Sequence, residues 1–242
     1  MAESNERVAL VTGGSRGIGL ALVKRFRAAG FRVAACATTR EGASASGADV
    51  AFACDVSRAD DVERGIAEVL QRLGRLDVVV NNAALAGTNP LEAGSSDELW
   101  FRILDVNLTG TYLVTKRALP HLPDGSGRVI NIASTLGLRG VPDQTAYCAA
   151  KHGVVGFTRA LALHTAPRRI PVNAICPGWV RTDMASQRAA ELGVSEDELA
   201  RGVPIGRMVE PEEVAELALY LTGEAAASIT GQTLTIDGGS LA

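Results

Sequence analysis

Tyr147 and Lys151 stand four residues apart in the stretch Thr145–Thr165, whose apolar residues recur at a helical period. That spacing is about one helical turn, so the phenol and the ammonium share a helix face. An ammonium beside a phenol favours the phenolate, and the pair is expected to lower the phenol from its ordinary value of about 10 toward a range useful for proton transfer. Ser134 ends an earlier apolar run, Arg128–Ser134, and its hydroxyl can hold the oxygen that exchanges the proton. Far upstream, Thr12-Gly13-Gly14-Ser15-Arg16-Gly17-Ile18-Gly19 follows the run Val8–Thr12 and opens a helical pattern. Glycines in that place permit a tight turn, let backbone amides approach a diphosphate and let the helix pack close to its strand. The helix start adds unpaired N–H groups and a positive dipole end. The spacing is G-x-x-x-G-x-G, a variant of the more familiar G-x-G-x-x-G.

These groups need a frame. Short β-branched runs predict strands at Val8–Thr12, Phe31–Thr38, Val50–Cys54, Asp77–Asn81, Arg128–Ser134, Ile170–Cys176 and Thr233–Asp237. Helical patterns between them cover Gly17–Ala29, Arg58–Leu73, Thr145–Thr165 and Pro211–Leu221, the last with proline in its first turn. A further long helix, capped by Ser96 or Asp97, is expected to run to about His121. The strands are nearly continuous apolar runs, as in a parallel sheet covered on both faces. The expectation is an α/β fold: a single-domain, doubly wound (Rossmann) parallel sheet spanning residues 1–242, with helices on both faces. One polar stretch, Met184–Pro204, breaks the alternation and reads as an inserted helical flap. Its apolar positions (Met184, Ala185, Ala189, Leu192, Leu199, Val203) could cover a substrate while its charges face water.

Composition removes several classes of function. With 47% hydrophobic and 21% charged residues the chain can bury a full core. The net charge of −3 and the lack of a basic cluster argue against nucleic acid as a partner. No apolar run reaches the roughly 18–20 residues of a membrane span. Met1–Arg7 is too polar for a signal peptide and reads as a short disordered leader. Cys36, Cys54, Cys148 and Cys176 lie far apart, with no C-x-x-C, which argues against a metal site and suggests buried thiols in a reducing, cytoplasmic setting. His152 reads as a helix-surface residue.

With Asp55-Val56, Asn81-Asn82-Ala83-Ala84, Asn107 and Pro177-Gly178 added to the turn and the Ser134, Tyr147, Lys151 group, the chain resembles the short-chain dehydrogenase/reductase family from Val8 to Gly239. Within it, Lys151–Leu163, Asn173–Ala185 and Val203–Leu221 look most like the 3-oxoacyl-[acyl-carrier-protein] reductases and polyketide ketoreductases. The resemblance implies Tyr147 as acid/base, Ser134 as carbonyl orienter, Lys151 as partner of Tyr147 and of the nicotinamide ribose, and Asn107 as holder of a relay water. It implies cofactor contacts from Gly13, Ser15, Arg16, Gly17, Ile18, Gly19, Thr38, Arg40, Asp55, Val56, Asn82, Ala83, Pro177, Gly178, Val180 and Thr182. For Asp55 the alternative is a helix cap; for Asn107, a satisfied helix-breaking amide; for Pro177-Gly178 and Thr182, a plain turn. Alanine at position 84, where the family usually has glycine, costs about 1–2 kcal/mol if that position needs a positive φ.

The cofactor expected is NADP(H): the end of the second strand carries no carboxylate to grip a ribose 2′-hydroxyl, whereas Arg16 and Arg40 could clamp a 2′-phosphate, unless both are merely solvated. The expected substrate is a ketone, foremost a 3-oxoacyl thioester on a carrier or coenzyme A, with Arg168 and Arg169 as candidates for meeting an acidic carrier. The alternatives are a free secondary or cyclic alcohol, a sugar or a steroid, or a cofactor-sensing protein without chemistry. The family also implies a homotetramer built on the long helices.

Overall fold

The structure is a computed structural model and describes residues 6–94 and 97–242. In chain order its regular elements are β1 (Val8–Thr12), α1 (Gly17–Ala28), β2 (Arg32–Ala37), α2 (Arg40–Ser44), β3 (Val50–Ala53), α3 (Ala59–Leu73), β4 (Val78–Asn81), α4 (Asp97–Leu104), α5 (Gly110–Ala118), β5 (Arg128–Ile132), α6 (Thr145–Thr165), β6 (Val172–Pro177), α7 (Asp183–Leu192), α8 (Glu196–Arg201), α9 (Pro211–Thr222) and β7 (Thr233–Ile236). All paired strands are parallel, in the order β3-β2-β1-β4-β5-β6-β7. Alternate residues of β1 feed opposite faces. Val8 and Leu10 pack with Val62 and Ile66 of α3, Val114 of α5 and Leu161 of α6. Ala9 and Val11 pack with Leu22 and Phe26 of α1 and Val214 and Leu221 of α9. Because β2 and β4 leave β1 on opposite sides, the chain reverses its direction of travel there. The crevice beyond the carboxyl ends of β1 and β4 is therefore where such a sheet takes a ligand. Among the described residues no helix is long and apolar enough to cross a membrane.

Several expectations need correction. The helix expected from position 97 to 121 is interrupted by a π-turn, Asp105–Thr109, between α4 and α5. The wide turn buries Asn107, whose Oδ1 accepts from the Leu85 amide (2.7 Å) and whose Nδ2 donates to the Leu85 carbonyl (2.8 Å). A side chain bonded to a distant loop in this way favours local departure from the α-helical repeat. Ser96, offered as a cap, lies outside the described residues; Asp97 is in the first turn of α4. The flap is two helices, α7 and α8, because Gly193 adopts φ +69° and Ser195 with Glu198 forms a fresh capping box. The short helix α2, capped by Thr39, was not anticipated. Of the expected leader, positions 1–5 lie outside the described residues, but Arg7 is held: it donates to the Thr222 carbonyl (3.0 Å) and lies 5.0 Å from the Phe31 ring centroid. The alanine at position 84 carries no backbone strain, since Arg169 is the one non-glycine residue with positive φ among those described.

Candidate active site

The glycine turn is closed by its neighbour strand. The Thr12 hydroxyl accepts from the amides of Asn82 (3.0 Å) and Ala83 (3.1 Å), and the Asn82 side chain donates to the carbonyls of Thr12 (2.9 Å) and Gly13 (3.1 Å). These contacts bring the turn so close to the end of β4 that a Cβ on Gly13 would meet the Ala83 Cα at 2.8 Å, and α1 folds back on the turn so tightly that one on Gly19 would meet the Gly13 oxygen at 2.0 Å. Both glycines are therefore steric requirements. The turn delivers α1 with Arg16 at its N-cap, no side-chain cap and no acidic residue in its first turn. A helix start left in that condition suits an anion. Ser15, Gly17 and Ile18 are half-buried around it, while Arg16 is exposed. Gly42 of α2 lies against this turn, its Cβ position 3.7 Å from the Ser15 Cβ, so the exposed pair Thr38 and Thr39 borders the same crevice. No carboxylate stands at that strand end. Arg40 is less free than expected: it pairs with Glu68 (3.5 Å) and reaches the Ala51 carbonyl (3.4 Å), although most of its side chain stays in water.

The catalytic candidates meet at the neighbouring strand ends. Ser134 lies two residues beyond β5, its backbone extended, and its Oγ accepts from the Leu136 amide (3.1 Å). Gly137 follows in that tight turn, where a Cβ would strike the Lys151 carbonyl at 2.8 Å; its absence lets the turn lie directly on α6. Ser134 faces the Tyr147 hydroxyl closely enough to work against the rise in its pKa. Lys151, 2% exposed, donates to the Ile132 carbonyl (2.9 Å), and its Nζ is 5.5 Å from the Tyr147 ring centroid. The predicted direction of the phenol's shift is overturned. Burial pushes Tyr147 up to about 12, against a partial offset from Ser134, and burial pushes Lys151 down to about 8. For both groups desolvation is the leading cause, and it outweighs any attraction between ammonium and phenolate.

The Asn107 side chain bonds to Leu85 rather than to Lys151, through both its oxygen and its nitrogen, and its main-chain oxygen accepts from Thr111 (2.8 Å). Asp55 holds the Ser57 amide (3.0 Å) and hydroxyl (2.6 Å) and pairs with Arg102 (2.9 Å), so it acts here as a turn-former. Burial works to raise its carboxyl, but the bonds from Ser57 and Arg102 win and hold it below the ordinary range. Val56 is buried under α5 at Gly110. Pro177 and Gly178 carry β6 against the end of β7, Val180 is buried and bridges Val209, and Thr182 caps α7 (3.4 Å) with its methyl 3.1 Å from the Cβ position of Gly17. The last contact joins the loop after β6 to the glycine turn. Sequence reasoning gave no individual role to Thr12, Arg102, Asn89 or Arg188. Of these only Thr12, a hydroxyl at the last position of a strand beside the turn, carried a local signal. The four cysteines are free and buried, and His152 is exposed. Arg168 is not a free cation, since it donates to Asp124 (2.7 Å) and to the carbonyls of Leu119 (2.9 Å) and Leu122 (2.6 Å).

An anion-ready helix start and a Ser–Tyr–Lys group at adjoining parallel-strand ends define a dinucleotide-fold oxidoreductase. Residues 13–240 match the family model described as enoyl-(acyl carrier protein) reductase, and the chain belongs to this branch of the short-chain dehydrogenase/reductase family. It is 40% identical to the 3-oxoacyl-[acyl-carrier-protein] reductase FabG of Chlamydia muridarum, over 96% of each chain. It is also 40% identical to the acetoacetyl-CoA reductase of Shinella zoogloeoides, over 96% of this chain and 98% of that one. Among solved structures, a variant of actinorhodin polyketide ketoreductase with NADPH superposes with a TM-score of 0.92, at 42% identity and 99% coverage of both chains.

Proposed function

We propose that the protein reduces the ketone of a 3-oxoacyl thioester to the 3-hydroxy product with NADPH. The observation that carries this reading is the Ser134–Tyr147 hydroxyl pair beside buried Lys151, set at the strand ends next to the uncapped start of α1. Bound NADPH supplies the hydride to the carbonyl carbon. Ser134 holds the carbonyl oxygen, and Tyr147 gives that oxygen its proton, so ketone, NADPH and one proton become alcohol and NADP+. Lys151 holds the ribose and restores the proton to Tyr147. Asn107 keeps Leu85 at the edge of the cleft and holds the water that relays protons from Lys151. Gly13, Ser15, Arg16, Gly17, Ile18 and Gly19 receive the diphosphate end, Arg16 with Thr38 and Arg40 the 2′-phosphate. Asp55, Val56, Asn82 and Ala83 border the adenosine half, and Pro177, Gly178, Val180 and Thr182 the nicotinamide. The thioester is supported by the relatives, whose names place the ketone on a carrier protein or coenzyme A.

The whole chain works as one unit, in the cytoplasm, where four buried thiols stay reduced. Phe101, Tyr112 and Leu163, exposed on α4, α5 and α6, support a tetramer closed through these helices. The test compares NADPH with NADH on acetoacetyl thioesters, cyclohexanone derivatives and sugars. The expected result is preference for NADPH and thioester, with Arg16→Glu reducing kcat/KM for NADPH by more than about tenfold and sparing NADH, as loss of a charged phosphate contact predicts. Preference for NADH, or a cyclic ketone ahead of the thioester by more than about tenfold, sinks the corresponding half of the proposal.

A further inference from the structure

The flap is tied to the rim of the cleft by one side chain. Arg188 of α7 is only 13% exposed, and such an arginine needs partners. It donates to the Asp143 carboxylate, to the Thr88 hydroxyl (3.0 Å) and to Glu191 (3.0 Å), while Thr88 itself donates to Glu191 (2.9 Å). Asp143 and Thr88 belong to the two segments that frame the site. Asp143 stands four residues before Tyr147, and Thr88 stands in the loop whose beginning, Leu85, Asn107 grips. Those segments are already stitched together: the Asn89 amide donates to the Asp143 carbonyl (2.7 Å), Asn89 bridges Gln144, and the Thr145 hydroxyl donates to the Asn89 carbonyl (2.7 Å). At its other end α7 starts from Thr182, against the glycine turn. Six residues of helix, about 9 Å, separate that anchor from Arg188. The helix is thus a strut between the nucleotide side of the crevice and its substrate rim.

We propose that Arg188 is a positioning residue for substrate admission: by pinning α7 to Asp143 and Thr88 it sets how tightly and how selectively the cleft takes its ketone. The inference rests on the reductase reading for its kinetic part. The planar guanidinium matters, because one lysine ammonium cannot span Asp143, Thr88 and Glu191 together. A second set of contacts reaches Glu196 of α8, from Ser186 of α7 and from Arg181 just before it, and involves none of the latch residues.

The experiment uses the full chain as wild type, Arg188→Gln, Arg188→Lys, Asp143→Asn and the double variant Asp143→Asn/Arg188→Gln. With an acetoacetyl thioester, Arg188→Gln is expected to raise KM about tenfold while kcat and NADPH affinity stay within about twofold, the pattern of lost ground-state binding. Arg188→Lys should recover about half of that effect on a logarithmic scale, and a bulkier ketone should lose less than the small one. The double variant should be no worse than Arg188→Gln, because both changes break one contact. Backbone hydrogen exchange, which needs no turnover, should quicken at least about tenfold over 183–192 in the Gln variant and stay unchanged over 145–165. Additive single effects, a fall in kcat at constant KM, or unchanged exchange in α7 overturns the proposal. Wild type that reduces no ketone defeats the reductase reading instead, and the exchange measurement still decides whether Arg188 pins the flap.

Discussion

The two ends of the parallel strands treat charge in opposite ways. At the amino ends, the buried carboxylate of Asp77 accepts the Val8 amide (2.7 Å) and both arms of Arg75 (2.9 and 2.7 Å), so its lone pairs are used where β1 and β4 begin. At the carboxyl ends, Lys151 is equally buried yet bonded to a single carbonyl, beside a phenol whose ionisation burial opposes. The first arrangement holds the sheet. The second buries an ammonium with one carbonyl for a partner and brings its titration toward neutral pH, which is where proton transfer gains and stability loses.

Three substitutions separate these roles. The largest effect is expected from Tyr147→Phe, which removes the transferable proton and keeps the ring: kcat should fall by about 10³-fold while NADPH affinity, read by fluorescence titration, changes only a few-fold. Retention of a tenth of wild-type turnover excludes Tyr147 as the acid. Next, Asp77→Ala should cost about 2–3 kcal/mol in urea unfolding, since it leaves the buried Val8 amide without its acceptor, while kcat/KM per folded molecule is unchanged. A comparable loss of activity in the folded fraction erases the contrast between the two ends.

The smaller of the two stability effects has the opposite sign. Lys151→Met should abolish useful turnover but raise stability at pH 7 by on the order of 2 kcal/mol, because the folded chain no longer buries an ammonium. The sign follows from the lowered value. Below about 8 the lysine is charged in both folded and unfolded chains, and wild type bears the full cost of burial. From about 8 to the unfolded value of about 10.4 only the folded lysine sheds its proton, so wild type gains stability with rising pH and the advantage of methionine fades. Thermal unfolding from pH 6 to 10.5 reads this directly; a constant or widening gap contradicts it.

Much of this site was legible without coordinates because its chemistry rests on near neighbours in sequence. Tyr147 and Lys151 fall on one face of α6, whose observed limits, Thr145–Thr165, match the periodicity, and the glycine turn sits between β1 and α1 as its spacing required. The ends of β2, β3 and β5 were read one or two residues long, because Thr38, Cys54 and Ser134 suit a strand after the ladder has stopped, whereas β6 runs one residue further than expected, to Pro177. What escaped depends on partners far along the chain. The π-turn exists for a bond from Asn107 to Leu85, the latch joins Arg188 to Asp143 and Thr88, and Arg168 is consumed by Asp124. The phenol's shift escaped for a related reason: charge spacing is visible in a helix, whereas desolvation is a property of everything packed around it.

The crowding at the glycine turn has a consequence for engineering. Gly13 and Gly19 meet neighbouring atoms so closely that a saturation library should return glycine alone at both, whichever nucleotide is used for selection. Ser15, Arg16, Thr38 and Thr39 remain half-buried or exposed around the same crevice. Directed evolution toward the cheaper nicotinamide coenzyme therefore has a small and well-defined alphabet: redesign belongs at the four rim positions, and randomising the two interior ones wastes library diversity on inactive clones.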